Sequence, residues 1–197
     1  MPLTQIDTVA ALVAIDLQKG ITGIPTVHPS SEIVARSAEL ARAFRERGLP
    51  VVLVNVAGIA PGRTDAGRPK FVFPPDWTEL VPELNRRPED IAITKHRVGA
   101  FLGTALDAEL RKRGVTQIFL TGIATGSGVE AAARSAYDLG YNVVLVTDAM
   151  TDRDAEVHRH SVERVFPRLG ETTTTAEALR LLRGDAKSAS CELTVRG

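Results

Sequence analysis

The sequence of 197 residues contains a single cysteine, Cys191, close to its end. One thiol cannot form an intramolecular disulfide, and it cannot supply the several thiolates of a cysteine zinc site. A chain without disulfides suits a reducing compartment, so we expect a cytoplasmic protein. Because the tail from Asp185 is polar, we expect it to be frayed and Cys191 to be a poor candidate for a nucleophile.

The sequence also lacks an excess of charge and a long apolar run. Lys and Arg total 24, Asp and Glu total 24, and the formal net charge is zero. This balance gives no basic surface for nucleic acid or an anionic membrane. The longest apolar stretch, at residues 9–15, is too short to cross a bilayer. We therefore expect a small-molecule substrate and no nucleic-acid or membrane partner.

Aromatic residues make up only 5% of the chain against 44% hydrophobic residues, which predicts an aliphatic core. The length fits one domain, which we place at residues 1–184, followed by a polar tail at 185–197. Short apolar runs of the kind buried on both faces of a parallel sheet predict strands. They lie at residues 8–15, 49–56, 91–94, 117–121, 142–147 and, more weakly, 172–175.

Helical patterns alternate with these runs, and each ends at a glycine or proline. They lie at residues 30–47, 104–113, 129–139 and 155–166. The alternation predicts an α/β fold, a doubly wound six-stranded parallel sheet with helices on both faces. Ligands of such sheets bind beyond the carboxyl ends of the strands. The loop at residues 57–75 also borders this edge, and its pattern leaves open a lid or a plain surface excursion.

Two opposite charges stand where strands are predicted to end. Asp16 is the first polar residue after the first apolar run, and Lys95 stands in the same relation to the third. The topology predicts both at one rim, where they form either an ordinary ion pair or part of a site. Asp148 follows the fifth run, where we expect it to cap the strand.

A glycine-containing segment at residues 121–130 follows the fourth strand and opens a helix. Its backbone amides and the helix N-terminus favour negative charge. The Gly-x-Gly-x-x-Gly spacing of a dinucleotide loop is absent, and so is the Gly-Lys-Ser/Thr of a phosphate loop. Phosphate binding is left open.

The ordered set of these motifs is more specific than any one of them. It comprises Asp16-Leu17-Gln18, Lys95-x-Arg97, Ala100-Phe101, Gly122-Ile123-Ala124-Thr125, Ala133-Arg134, Gly140-Tyr141 and Asp148-Ala149. The set resembles the isochorismatase-like hydrolases, also called the cysteine hydrolase superfamily, over roughly residues 8–182. Most members of that family use an Asp-Lys-Cys triad. Asp16 and Lys95 match its first two positions, and Gly128 stands where the cysteine would be.

Glycine at that position resembles the isochorismatases proper, which cleave a vinyl ether and release pyruvate without a thiolate. The resemblance implies Asp16 as general acid, Lys95 as its orienting partner, and no cofactor or metal, because the histidine of the nicotinamidase metal site is missing. It also implies an anion-stabilising pair of amides at Ala124 and Gly128 and a cis Ile123–Ala124 peptide bond. We add Gln18 and Arg97 as substrate-binding residues. Arg63 and Arg68 are further candidates for a substrate carboxylate.

Several alternatives remain open. The loop after Val56 does not match the glutamine-containing substrate loop of isochorismatases, and His96 stands where they can place an aromatic residue, so the substrate is not assigned. A non-catalytic member that binds a metabolite or partner, and an amidohydrolase with another nucleophile, are the rival functions.

Ser127 is the other candidate nucleophile in the segment at residues 121–130, and we expect its side chain to point away from the site. His158 and His160 do not share a helix face, and we expect one packed and one exposed. Family likeness implies a homo-oligomer.

Overall fold

The computed structural model describes residues 3–65, 67 and 74–184. Its six strands pair in parallel in the order β3-β2-β1-β4-β5-β6, which confirms the predicted α/β sheet. The strands are β1 (Ala10–Ile15), β2 (Val51–Val56), β3 (Ile91–Lys95), β4 (Gln117–Ile123), β5 (Asn142–Thr151) and β6 (Glu171–Thr173). Arg68 and the predicted tail, with Cys191, lie outside the described residues.

In the described part of the chain, five α-helices lie between strands and a sixth follows β6. They are α1 (Lys19–Thr22), α2 (Ser30–Glu46), α3 (Leu106–Lys112), α4 (Glu130–Asp138), α5 (Ala155–His160) and α6 (Thr175–Arg183). A π-helical turn, Thr125–Val129, joins β4 to α4, and we call it the glycine turn. The predicted helix at 155–166 is continuous only to His160 and then widens into a second π-helical turn, Ser161–Val165.

The predicted sixth strand extended too far, and α6 was not predicted at all. The threonines at 172–175 suggested a strand because β-branched residues favour one. In the structure β6 ends at Thr173, and the side chain of Thr174 accepts a hydrogen bond from the Glu177 amide as the helix cap. The same residue type therefore ends the strand and begins the helix.

The sheet is covered by apolar side chains on both faces. All six residues of β1 are buried, which explains why its sequence is an unbroken apolar run. On one face Ile15 and Val129 belong to one core cluster, and on the other Phe44 of α2 meets Phe119 of β4 edge to face at 5.2 Å. The buried core is mainly aliphatic, as predicted.

The fifth strand is longer than predicted, and this corrects the role of Asp148. A register irregularity in β5 leaves Leu120 paired with Leu145 but Gly122 paired with Met150. Asp148 lies inside this stretch rather than at the strand end. Its Oδ1 accepts hydrogen bonds from the backbone amide and the hydroxyl of Thr175, so it holds the first turn of α6.

Candidate active site

The carboxyl ends of β1, β3 and β4 meet around one cavity of about 380 Å³. Asp16, Lys95, Ala124 and Gly128 all line it, so the structure brings together residues that the sequence separates by more than a hundred positions. This is the edge at which parallel sheets place their ligands. The predicted location of the site is therefore where the fold forms a cavity.

Asp16 reaches the cavity because the chain turns sharply after β1. Its backbone adopts a φ of 54°, in the left-handed region where Asp is enriched among non-glycine residues. The Asp16 amide still donates to the carbonyl of Val54, which fixes the turn to β2. The residue is 5% exposed, and its Oδ1 has no hydrogen-bond partner among the described residues.

Lys95 approaches the same carboxylate from two strands away. Neighbouring strands lie about 4.8 Å apart, so the long side chain at the end of β3 must cross β2 to reach β1. Its Nζ lies 2.8 Å from Asp16 Oδ2 and donates to the Val98 carbonyl at 2.6 Å. With both side chains buried, this is an ion pair inside the site rather than a solvated surface pair.

Burial decides the protonation of Asp16. It raises the pKa of the carboxyl from 3.8 to about 6, although the charge of Lys95 and its hydrogen bond oppose the shift. Desolvation penalises the charged form, and here it outweighs the ion pair. Near neutral pH, a fraction of the molecules therefore carry a carboxylic acid at this position.

Gly128 faces the ion pair from the glycine turn. A Cβ built on it would lie 3.1 Å from Lys95 Nζ and 3.3 Å from Asp16 Oδ2, so a side chain at this position would point at both groups. The glycine leaves that space to a ligand. The Ile123–Ala124 peptide bond that precedes the turn is cis, as the family resemblance implied.

The rest of the cavity wall is mostly apolar with two cations at its rim. Ile21 of α1 and Ile59 of the loop after β2 contribute apolar surface. That loop also lines the cavity at positions 58, 60, 62, 64 and 67. Arg97 and Arg153 are exposed and have no ion pair among the described residues. Among the described residues that line the cavity, the charged groups are thus Asp16 and three cations, the two arginines and Lys95. This excess of positive charge favours an anionic ligand.

Arg153 was not predicted from the sequence. It follows the end of β5, whose extension to Thr151 was not recognised, and nothing in its local sequence distinguishes it from a solubilising arginine. Arg63, which was proposed, is exposed and is absent from the described wall of the cavity.

Gln18 does not line the cavity. Its side chain is fully buried, its Nε2 donates to the carbonyls of Val56 and Trp77, and its Oε1 accepts from the Val56 amide. These bonds tie the end of β1 to the end of β2 and to the following loop. The structure gives this glutamine a role in shaping the site, and it does not bring the side chain into the cavity.

The remaining predicted side chains divide as follows. Ser127, expected to point away, is exposed and forms part of the cavity wall. His158 is half-buried and His160 is exposed, as expected for one packed and one exposed histidine. His96 is exposed and lies against Gly58, where an added Cβ would stand 2.8 Å from its Nδ1.

Metal ligation finds no support in the described ranges. Within residues 3–65, 67 and 74–184, no group of three His, Cys, Asp or Glu side chains is arranged to hold a metal ion. In the same ranges, no helix combines the length and the apolar character needed to cross a membrane.

The comparison with known proteins identifies the family. The model of the Isochorismatase domain matches residues 10–177. The chain belongs to the isochorismatase family. The family match spans every strand and the whole candidate site, and the structure of an isochorismatase family protein from Burkholderia thailandensis superposes on this one with a TM-score of 0.87. That protein is 42% identical, and the match covers 91% of this chain and 98% of its own.

Two curated proteins are similar in sequence to this isochorismatase-family hydrolase. The isochorismatase family protein YecD of Escherichia coli O157:H7 is 40% identical over 181 residues, 87% of this chain and 95% of its own. The ureidoacrylate amidohydrolase RutB of Variovorax paradoxus is 32% identical over 162 residues, 74% of this chain and 64% of its own.

Proposed function

We propose that this isochorismatase-family chain hydrolyses a small carboxylated molecule, of which isochorismate or a related enol ether is the example we would test, with Asp16 as general acid. The observation that carries the proposal is the Asp16 carboxyl. It is buried, one of its oxygens is unpartnered, and its pKa is raised to about 6, beside a glycine rather than a nucleophile. Such a group suits proton donation near neutral pH.

The reaction needs an acid and water, not a thiolate. Asp16 donates its proton to the methylene carbon of the enol ether, which forms an oxocarbenium ion. Water adds to that cation and returns one proton to the Asp16 carboxylate. The resulting hemiketal collapses to an alcohol and pyruvate, so that one substrate and one water give two products and the acid is regenerated.

The other groups of the cavity support this assignment. Lys95 orients the carboxyl through its 2.8 Å contact and offsets the substrate charge. The space above Gly128 lets the reacting carbon approach Asp16, and the amides of Ala124 and Gly128 are the candidates for stabilising negative charge. Arg97 and Arg153 are the candidates for binding substrate carboxylates at the rim.

The proposal is tested by measuring pyruvate released from isochorismate, and from a simpler enol ether, by wild type and by Asp16→Ala. We expect the variant to lose activity by at least a hundredfold, the usual contribution of a general acid. Asp138→Asn is the matched control, because it removes an exposed carboxylate at the end of α4. Wild-type turnover that survives Asp16→Ala would overturn the mechanism.

Amide hydrolysis is the second candidate function. The likeness to the amidohydrolase RutB favours it, and the exposed Ser127 in the cavity wall is the available hydroxyl. Turnover of a ureido or amide substrate that is lost in Ser127→Ala and kept in a Cys191→Ser variant would support it.

Absence of turnover on enol ethers, amides and esters, together with saturable ligand binding, would instead support a non-catalytic member. A cytoplasmic location and a homo-oligomeric state remain predictions, the latter testable by light scattering.

A further inference from the structure

A group of polar side chains supports the glycine turn from the side away from Asp16. It consists of His28, Thr125, Thr151, Asp152 and His158, which we call the histidine cluster. His158 Nδ1 lies 2.8 Å from the hydroxyl of Thr125, the first residue of the turn. The next residue, Gly126, donates its amide to Asp152 Oδ2 at 2.8 Å. The first two residues of the turn are therefore both tied to this cluster.

The cluster is packed tightly against the turn. A Cβ added to Gly126 would lie 2.2 Å from Val157 Cγ1 of α5, so the helix that carries His158 touches the turn backbone. His28 meets the ring of His158 edge to face, with centroids 4.9 Å apart. Its amide also donates to the Thr151 hydroxyl, which anchors His28 to the end of β5.

We propose that His158 is a positioning residue that fixes the glycine turn, and with it the Gly128 amide, and that protonation of His158 loosens this turn. The inference concerns the turn itself and does not depend on which substrate the cavity accepts. The acid chemistry proposed for Asp16 does not use the histidine cluster, which touches the rim cations only where Asp152 Oδ1 accepts the backbone amide of Arg153. It therefore adds a second element of the site that responds to pH.

The hydrogen bonding explains why the neutral imidazole holds the turn. With its ring proton on Nε2, His158 accepts the hydroxyl proton of Thr125 at Nδ1. Thr125 is fully buried, and in the described part of the chain its hydroxyl bonds to no other group. When Nδ1 takes up a proton, the hydroxyl hydrogen loses its acceptor in a site without solvent, which is unfavourable.

The surroundings of the His158 ring also favour its neutral form on balance. Burial lowers the pKa of His158 below 6.5, the nearby His28 lowers it further, and Asp152 opposes them. His28 faces His158 from the loop before α2, Asp152 from the end of β5, and Thr125 from the turn. The charged neighbours on its own helix are exposed; they are Glu156 and Arg159.

The direction of the pH effect follows. A histidine whose pKa is lowered in the ordered state binds fewer protons there than when it is released. The ordered turn is therefore fully favoured above pH 6.5 and loses stability as the pH falls below that value.

The test uses the full chain without substrate. Amide hydrogen exchange and ¹⁵N chemical shifts of Gly126 and Gly128 are followed from pH 8 to pH 5, with exchange corrected for its intrinsic pH dependence. We expect the wild-type protection of these amides to fall at least tenfold, with a midpoint below 6.5. His158→Gln should remove the transition, since glutamine can bond to Thr125 but does not titrate in this range.

The matched control is His160→Gln, which removes an exposed histidine two residues further along the same chain segment and should leave the transition intact. Because Asp16 titrates in the same range beside Gly128, the measurement is repeated in Asp16→Asn, where the Gly126 transition should persist. If His158→Gln does not fold, His28→Gln supplies the test, and its midpoint should rise. Protection that does not change with pH in wild type, or a transition that survives His158→Gln, would overturn the proposal. So would an unmoved midpoint in His28→Gln.

Discussion

The raised pKa of Asp16 makes a quantitative prediction about the pH dependence of hydrolysis. With a pKa of about 6, roughly one Asp16 in ten is protonated at pH 7 and roughly one in a hundred at pH 8. If the carboxylic acid is the active form, kcat/KM should fall about tenfold for each pH unit above 7. If the carboxylate is instead a base, kcat/KM should rise through pH 6 and then level off.

Removing Lys95 sharpens this prediction. Its charge and hydrogen bond hold the pKa of Asp16 below the value that burial alone would give. In a plot of kcat/KM against pH, the fall on the alkaline side should therefore move to higher pH in Lys95→Met. We expect a shift of about one to three pH units for the loss of an opposite charge at 2.8 Å. At pH 8 the variant then has a larger protonated fraction than wild type, even if its maximal rate is lower.

The assay is pyruvate release from an enol ether at subsaturating concentration, between pH 5 and pH 9, with wild type and Lys95→Met. The alkaline limb is the informative one, because protonation of His158 would act on the acid side. A wild-type rate that rises with pH through 6 would refute the acid role of Asp16. An alkaline limb that stays in place in Lys95→Met would refute the electrostatic account of its pKa.

Three substitutions test the architecture around the site. Gln18→Ala removes three hydrogen bonds to backbone groups and leaves the Val56 amide without its partner, so the free energy of unfolding measured with urea should fall by about 2–4 kcal/mol. A fall of less than about 1 kcal/mol would contradict the structural role of Gln18. Gly122→Ala places a Cβ 2.0 Å from the Ile15 carbonyl oxygen at a φ of 119°, so it should abolish soluble expression or lower Tm by more than about 10 °C. An unchanged Tm would show that the close contact between Gly122 and Ile15 is wrong. Arg153→Gln should raise KM for a carboxylated substrate about tenfold and leave kcat nearly unchanged, and an equal effect on an uncharged analogue would argue against carboxylate binding.

The sequence was sufficient for the existence of the six strands, though not for the extents of β5 and β6, and for the placement of Asp16 and Lys95. Because β1 is buried on both faces, its apolar run ends where the chain reaches the cavity, and the next residue is Asp16. Lys95 was located as the first charged residue after the run at 91–94, although that strand, β3, lies at the edge of the sheet and alternates buried and exposed residues. Period and polarity carry this information locally, so no knowledge of the packing is required.

The sequence was not sufficient where local preferences compete or where distant segments meet. The threonines before α6 favour both a strand and a helix cap, and only the packing of β6 shows where one ends and the other begins. Gln18 stands beside the active-site turn in sequence, yet its amide is used by backbone groups of other segments. Arg153 has no local signal and reaches the cavity only because β5 is extended by its irregular register.

The sequence by itself determined the family and the parallel sheet, and it shows glycine at position 128, where the family resemblance implies the nucleophilic cysteine of most members. The tertiary structure alone decided the chemical state of the site. The charge of Lys95 lowers the pKa of Asp16 and burial raises it, and their balance depends on how deeply the folded chain encloses both groups. A sequence names the two opposing groups, but it does not specify the solvent that folding removes from around them.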